Sequence, residues 1–157
     1  MNIEIICIGT LKEPYLRDAE KEYLKRMVPY CKMKVTELRE ARLLQGEEET
    51  VRLREGESLL NAADKSEKVY VIALDMRGKQ QSSEKFADTL KKLALGGKSS
   101  LVFLIGGSLG LSEAVRKRAD TVISLSEMTF PHQLTRIILL EQLYRAQKIL
   151  RGEPYHK

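Results

Sequence analysis

Two continuous apolar runs, Val69-Tyr70-Val71-Ile72-Ala73-Leu74 and Leu101-Val102-Phe103-Leu104-Ile105, constrain this chain more than any other feature. A strand with apolar side chains at consecutive positions needs cover on both faces, as central strands of parallel sheets do. Between the runs, Ser82 or Ser83 is placed to cap a helix carrying Phe86, Leu90 and Leu93, and Gly96-Gly97 closes it. Strand, helix, strand in that order reads as a parallel crossover unit.

The flanking sequence extends the same alternation. Ile3 to Ile8, ending at Gly9, reads as a buried strand. Pro14 opens a helical pattern with Tyr15, Leu16, Ala19, Tyr23 and Met27, and Pro29 ends it. Lys32 to Leu38 alternates like an exposed or edge strand, and Val51 to Ala63 reads as a charged helix carrying Leu53, Leu59 and Leu60. Asp75 to Lys79 is expected to be a loop, Ser112 to cap a short helix, and Thr121 to Leu125 to form a further strand. Ser126 to Thr129 then makes a loop, and Pro131 sits in the first turn of a long helix through Leu150, stopped by Arg151-Gly152. The expected architecture is a three-layer α/β domain with a mainly parallel sheet, residues 1–157 forming a single domain.

Other classes are set aside by what the chain contains. The longest apolar run is far short of the about 20 residues of a membrane span, and Met1-Asn2-Ile3-Glu4 has no basic n-region of a secretory signal. Cys7 and Cys31 form no CxxC pair, so two buried free thiols, no metal site and a cytoplasmic location are expected. Charge is uneven: residues 37–68 hold 6 basic and 9 acidic side chains, residues 69–157 hold 14 and 8. A basic C-terminal half suits a polyanion, although no RGG, zinc-finger or RRM signature is present.

Open parallel sheets bind ligands outside the carboxyl ends of their strands, which directs attention to three loops. Gly106-Gly107-Ser108-Leu109-Gly110 lacks the GxGxxG spacing, and it reads equally as a tight turn or as a loop open to a ligand. Gly97-Lys98-Ser99 echoes a P-loop ending but precedes a strand and lacks the earlier glycine, so it is rejected. Ser126 to Gln133 has backbone groups without ladder partners and a stiff Phe130-Pro131 wall, suited to an adenine ring. The plainer reading is a capping loop in which the Thr129 hydroxyl accepts from the first helical turn. His132, in that turn, reads as a packing or capping residue. Leu134, Ile137, Ile138, Leu139, Leu140, Leu143, Tyr144, Ile149 and Leu150 cover more than one helix face, so the long helix is either central to the core or a homodimer interface, the latter favoured here. The terminal Pro154-Tyr155-His156-Lys157 is either frayed or folded back over a cleft, where a phenol and an imidazole can orient a base and accept a proton.

Taken together, Ile105 to Gly110, Ser126 to Gln133, Glu141 to Ala146 and Arg151 to Lys157, with Gly9 and Leu11-Lys12-Glu13, resemble the RlmH family of SPOUT-class RNA methyltransferases along essentially the whole chain. The resemblance implies a C-terminal trefoil knot and S-adenosyl-L-methionine as cofactor. It also implies methylation of N3 of a pseudouridine in 23S ribosomal RNA, with the assembled ribosome as substrate. It places cofactor contacts at Leu74, Gly106, Leu125, Ser126, Glu127, Met128, Thr129 and Phe130, with Glu127 acting through its backbone. His156 is the first candidate for the proton acceptor and Tyr155 the second, and Arg136, Arg145, Arg151 and Lys157 are candidate phosphate contacts. A homodimer would build the RNA platform, with one subunit's tail completing its partner's site. The competing readings are a ribosome-binding module without catalysis and a nucleotide-binding enzyme using Gly106 to Gly110 for phosphates.

Overall fold

The computed structural model describes residues 1–64 and 68–155. Among the described residues ten elements alternate: β1 (Asn2–Ile8), α1 (Pro14–Met27), β2 (Lys32–Leu38), α2 (Glu48–Ala63), β3 (Tyr70–Gln80), α3 (Ser83–Leu95), β4 (Ser100–Ile105), α4 (Glu113–Arg118), β5 (Thr121–Ser124) and α5 (His132–Leu150). The strands form one sheet in the order β2-β1-β4-β3-β5, and all four pairings are parallel. β2 is an edge strand, as its alternation predicts.

The two faces of the sheet are packed by different helices. Ile3, Ile5, Cys7, Ile72, Leu74, Leu101, Phe103 and Ile105 point to one face, where they meet buried residues of α1, α3 and α5. The alternate residues Ile6, Ile8, Val71, Ala73, Val102 and Leu104 point to the other and meet α2 and α4 through Leu59, Ala63 and Val115. This period-two division explains the continuous apolar runs: β1, β3 and β4 have a hydrophobic layer above and below. Cys7 lies within the first layer, and burial pushes its thiol up to about 12.

Helix boundaries follow local chemistry. Pro14 opens α1, the Ser82 side chain accepts from Lys85 N at the start of α3, and Ser112 accepts from Val115 N at the start of α4. Gly97 and Gly152, both at positive φ, follow the last turns of α3 and α5. Pro131 is the residue before α5, not its first helical residue.

Two expectations need correction, and of the two readings of α5 the core-central one accounts for most of its apolar surface. Residues 75–79 are not a free loop. Leu74 and Lys79 both register with Ile123, so β3 makes an excursion at 75–78 and then rejoins β5. Gly78 permits it, since a Cβ there would lie 2.5–2.7 Å from the Ile123 backbone. Leu53 faces outward at 49% exposure, and Val51, Leu59 and Ala63 carry the buried side of α2. Most of the apolar surface of α5 is covered within the chain, because the helix lies between α1 and α3 over β4; only Leu134 and Leu150 of its large apolar residues are exposed.

Candidate active site

The carboxyl ends of β3, β4 and β5 open into a cavity of about 1300 Å³. Its wall includes Leu74 and the 75–77 excursion, Ile105 to Leu111, and Ser124 to Pro131 except Glu127, with His132 and Thr135 from the start of α5. Small-molecule sites commonly fall in the range of about 300–1,000 Å³, so there is room for a nucleotide-sized ligand and a second group beside it.

The glycine segment is both a tight turn and an open wall. Gly110 N donates to Gly107 O at 3.0 Å, and Gly110 has φ of +76°. A Cβ on Gly106 would come within 2.8 Å of the Gly110 carbonyl carbon and oxygen, so the turn closes only around a residue with no side chain. Two arginines hold the outer part of the loop: Arg52 Nε donates to Leu109 O at 3.0 Å, and Arg116 Nη1 donates to Leu111 O at 2.6 Å. Arg116 also pairs with Asp75 Oδ2 at 3.3 Å, tying the β3 excursion to the glycine loop.

The loop after β5 is shaped by its own serines. Ser124 Oγ donates to Ser126 O at 2.9 Å, and Met128 N donates to Ser126 Oγ at 3.0 Å. The capping reading for Thr129 fails: α5 has no side-chain cap, and the Thr129 hydroxyl instead donates to Met76 Sδ at 3.4 Å across the cavity mouth. The two loops thus bring main chain and apolar side chains to a wall that also holds the charged Arg52, Asp75, Arg77, Glu113 and Arg116, which suits a ligand read in part by backbone groups. Leu74, Gly106, Leu125, Ser126, Met128, Thr129 and Phe130 all border the cavity, whereas Glu127 is exposed and outside its wall. His132 is held below its ordinary value, first by burial and then by Arg136 and Lys12, against an opposing effect of Glu40.

The basic and C-terminal candidates are placed elsewhere. Arg136 is 1% exposed, with Nη1 on Glu37 at 2.5 Å and Glu20 at 3.2 Å and Nη2 on Gly9 O at 3.0 Å. It is a buried strut between α5, α1 and the β1–β2 edge and presents no surface for a phosphate. Arg145 pairs with Glu141 at 2.6 Å and stacks on the Tyr155 ring, and Arg151 is exposed over the Tyr30 ring.

The tail is tied down as far as Tyr155 but not over the cavity of its own chain. Glu153 N donates to Lys148 O at 2.9 Å, the Glu153 carboxylate pairs with Lys148, and Tyr30 OH donates to Glu153 Oε2 at 3.0 Å. Tyr155 meets Tyr144 edge-on at 4.9 Å, its hydroxyl donates to Glu141 Oε1 at 3.3 Å, and burial and Glu141 push its phenol up. His156 and Lys157 lie outside the described residues. Asp75, Arg52 and Arg116 escape a reading of the sequence, since only the assembled sheet brings α2, α4 and the β3 excursion around one glycine turn.

A parallel α/β sheet with a crevice at adjoining strand ends defines a class of ligand-binding α/β proteins. Residues 1–156 match the family described as "Predicted SPOUT methyltransferase". Over 161 aligned positions covering all of both chains, the sequence is 52% identical to "Ribosomal RNA large subunit methyltransferase H" of Bacillus cytotoxicus. It is 50% identical to the protein of the same name from Alkaliphilus oremlandii, again with full coverage of both. The chain belongs to the RlmH family of SPOUT methyltransferases, and its α/β fold is of the knotted class that this family implies. Among solved structures, a probable methylase family protein from Haemophilus influenzae Rd KW20 superposes with a TM-score of 0.62 at 13% identity, over 99% of this chain and 70% of that one. The tRNA (m1G37) methyltransferase from Aquifex aeolicus gives 0.59 at 15% identity, over 100% and 75%. At these identities the superpositions speak to fold alone.

Proposed function

We propose that this protein methylates large-subunit ribosomal RNA, using S-adenosyl-L-methionine to modify N3 of a pseudouridine in 23S rRNA on the assembled ribosome in the cytoplasm. The observation that carries the reading is the Gly106–Gly110 turn facing the 125–130 loop across a backbone-lined cavity at the ends of β3, β4 and β5. The family membership and the names of its full-length relatives point the same way.

The residues present fit such a donor. Leu74, Leu125 and Phe130 offer apolar cover for an adenosyl group, and the loop backbone offers donors and acceptors to its edges. Gly106 leaves the floor free of any Cβ. When bound, the donor supplies an electrophilic methyl group on a sulfonium. The protein's part is then alignment: reacting atoms must be held about 3–3.5 Å apart and in line. The Arg116–Asp75 and Arg52–Leu109 contacts serve that end by fixing the loops.

The N3 proton of the acceptor must leave during transfer, which calls for a base or a hydrogen-bonded relay. The tail supplies His156 and Tyr155 for this work, with Tyr155 orienting the base. Tyr155 rests on α5 away from its own chain's cavity, which favours a homodimer in which the tail of one subunit completes the site of the other. Arg145, Arg151 and Lys157 would then approach the RNA backbone together.

The test is mass spectrometry of rRNA after incubating the protein with isotopically labelled donor and unmodified ribosomes or free rRNA. One labelled methyl on a single pseudouridine, formed on ribosomes, is expected. Ribosome binding without label transfer would make the protein a binding module instead. Affinity for simple nucleotides equal to that for the donor would favour a phosphate-binding enzyme.

A further inference from the structure

Three carboxylates in the cavity wall each have a cation: Glu49 pairs with Arg52, Asp75 with Arg116, and Glu113 with Lys117. Glu55, on α2 three residues after Arg52, has none among the described residues. Its side chain is buried, with 4% of the residue exposed. Oε1 accepts from Ala41 N at 3.1 Å, whereas Oε2 has no hydrogen-bond partner among the described residues. That oxygen lies directly behind the glycine turn, since a Cβ on Gly107 would come within 2.9 Å of it and 3.1 Å of Ile8 Cγ2. Gly107 itself lines the cavity, so the carboxylate stands behind a residue that an occupant would meet.

The next residue holds this arrangement close. A Cβ on Gly56 would be 2.4 Å from Ser112 Oγ, so α2 presses against the start of α4 at the far end of the same loop. A buried, unmatched carboxylate oxygen is costly. Burial pushes the Glu55 carboxyl up from its ordinary value, the Ala41 N–H opposes this, and Glu40 adds to it. A positive charge across the loop would relieve that cost.

We propose that Glu55 is a specificity-determining residue whose negative charge, acting through the Gly107 backbone, favours a cationic sulfonium donor over the neutral thioether that remains after transfer. The inference rests on the sulfonium reading of the cavity given above. The methyl carbon leaves with its bond to sulfur broken and that electron pair kept by sulfur, so the ligand loses its charge in the step. The attraction of Glu55 is lost with it, and the spent ligand is released more easily than the donor. At an effective dielectric of about 20, a unit charge about 10 Å away changes an affinity by roughly tenfold.

The experiment is titration calorimetry of the full-length protein with S-adenosylmethionine and with S-adenosylhomocysteine, which differ at the sulfonium methyl. Wild-type protein is expected to prefer the donor by about tenfold, and Glu55→Gln to bring the ratio close to one by weakening the donor alone. Unchanged affinities in the variant would overturn the proposal, as would an equal loss for both ligands, which marks a mere brace. Should the variant not fold, the wild-type ratio decides: equal affinities sink the role of Glu55 while leaving the donor reading intact. Binding of neither ligand would sink the donor reading and this inference together.

Discussion

Nη2 of Arg136 lies 3.0 Å from the carbonyl oxygen of Gly9, joining the first third of α5 to the turn that leaves β1. The same guanidinium reaches Glu37 and Glu20, so one side chain bridges three elements from a position that is 1% exposed. Arg136→Ala should destabilise the fold by about 3 kcal/mol, the low end for a broken buried pair, because Glu37 keeps part of its side chain in water. Arg136→Lys should recover only part of this, lacking the fork that serves several acceptors. Urea unfolding checks both, and wild-type stability for the alanine variant would contradict the assignment.

Arg151, at the opposite end of α5, offers a contrast. It is exposed, and its guanidinium lies 4.4 Å from the centre of the Tyr30 ring. Arg151→Ala should leave stability within about 0.5 kcal/mol and lower the slope of log affinity for rRNA against log salt by about 0.7–0.9. Filter binding at several salt concentrations measures it; an unaltered slope would remove Arg151 from the RNA surface.

At Gly106 a methyl group is enough to disturb the site, because the atoms it would meet at 2.8 Å are backbone. Gly106→Ala should weaken donor binding by at least about tenfold and cost about 1–3 kcal/mol of stability, as overpacking does. Gly106→Val should abolish binding. Calorimetry that finds the donor bound as tightly as before would place it elsewhere.

His132 makes stability depend on pH in a defined direction. Burial lowers its value in the folded protein relative to the ordinary one near 6.5, so as pH falls through 6.5 the unfolded chain takes up this proton first. Its contribution therefore rises with pH up to about 6.5 and is flat above it. Glu55 has the opposite sign, its raised value giving a contribution that is lost as pH rises above the ordinary carboxyl value. Subtracting denaturation curves of His132→Gln from wild type isolates the histidine, and a difference that does not vary below pH 6.5 would refute its burial as neutral imidazole.

The tail can be tested by complementation between subunits. Removing residues 155–157 should cut methyl transfer by about 100-fold or more, the usual scale of a general-base loss, while donor affinity stays within about threefold. Mixing this deletion with Gly106→Val protein should restore activity, since a hybrid dimer would join an intact pocket to an intact tail. Absence of recovery in confirmed hybrids would mean that each tail serves its own chain.

Much of this architecture was legible in local chemistry. The runs at 69–74 and 101–105, a serine cap at 82 or 83 and another at 112, and Gly97 and Gly152 after helix ends depend on neighbours a few residues away, so spacing alone reveals them, and the structure selects Ser82. The loops bordering the cavity were also legible, because parallel strands place their exits on one edge. The burial of Arg136 is illegible for the opposite reason: nothing near it in sequence shows that Glu20, Glu37 and Gly9 converge on it.

Sequence by itself determined the element order, the parallel layering and the family motifs, since short-range sterics, capping and burial periodicity are local properties. Tertiary structure alone decided that residues 75–78 bulge and rejoin β5, that Tyr155 rests on Tyr144 instead of its own cavity, and that Glu55 lies behind Gly107 with no cation among the described residues. Those outcomes turn on distances between segments far apart in the chain, which are fixed only when both faces of the sheet are packed.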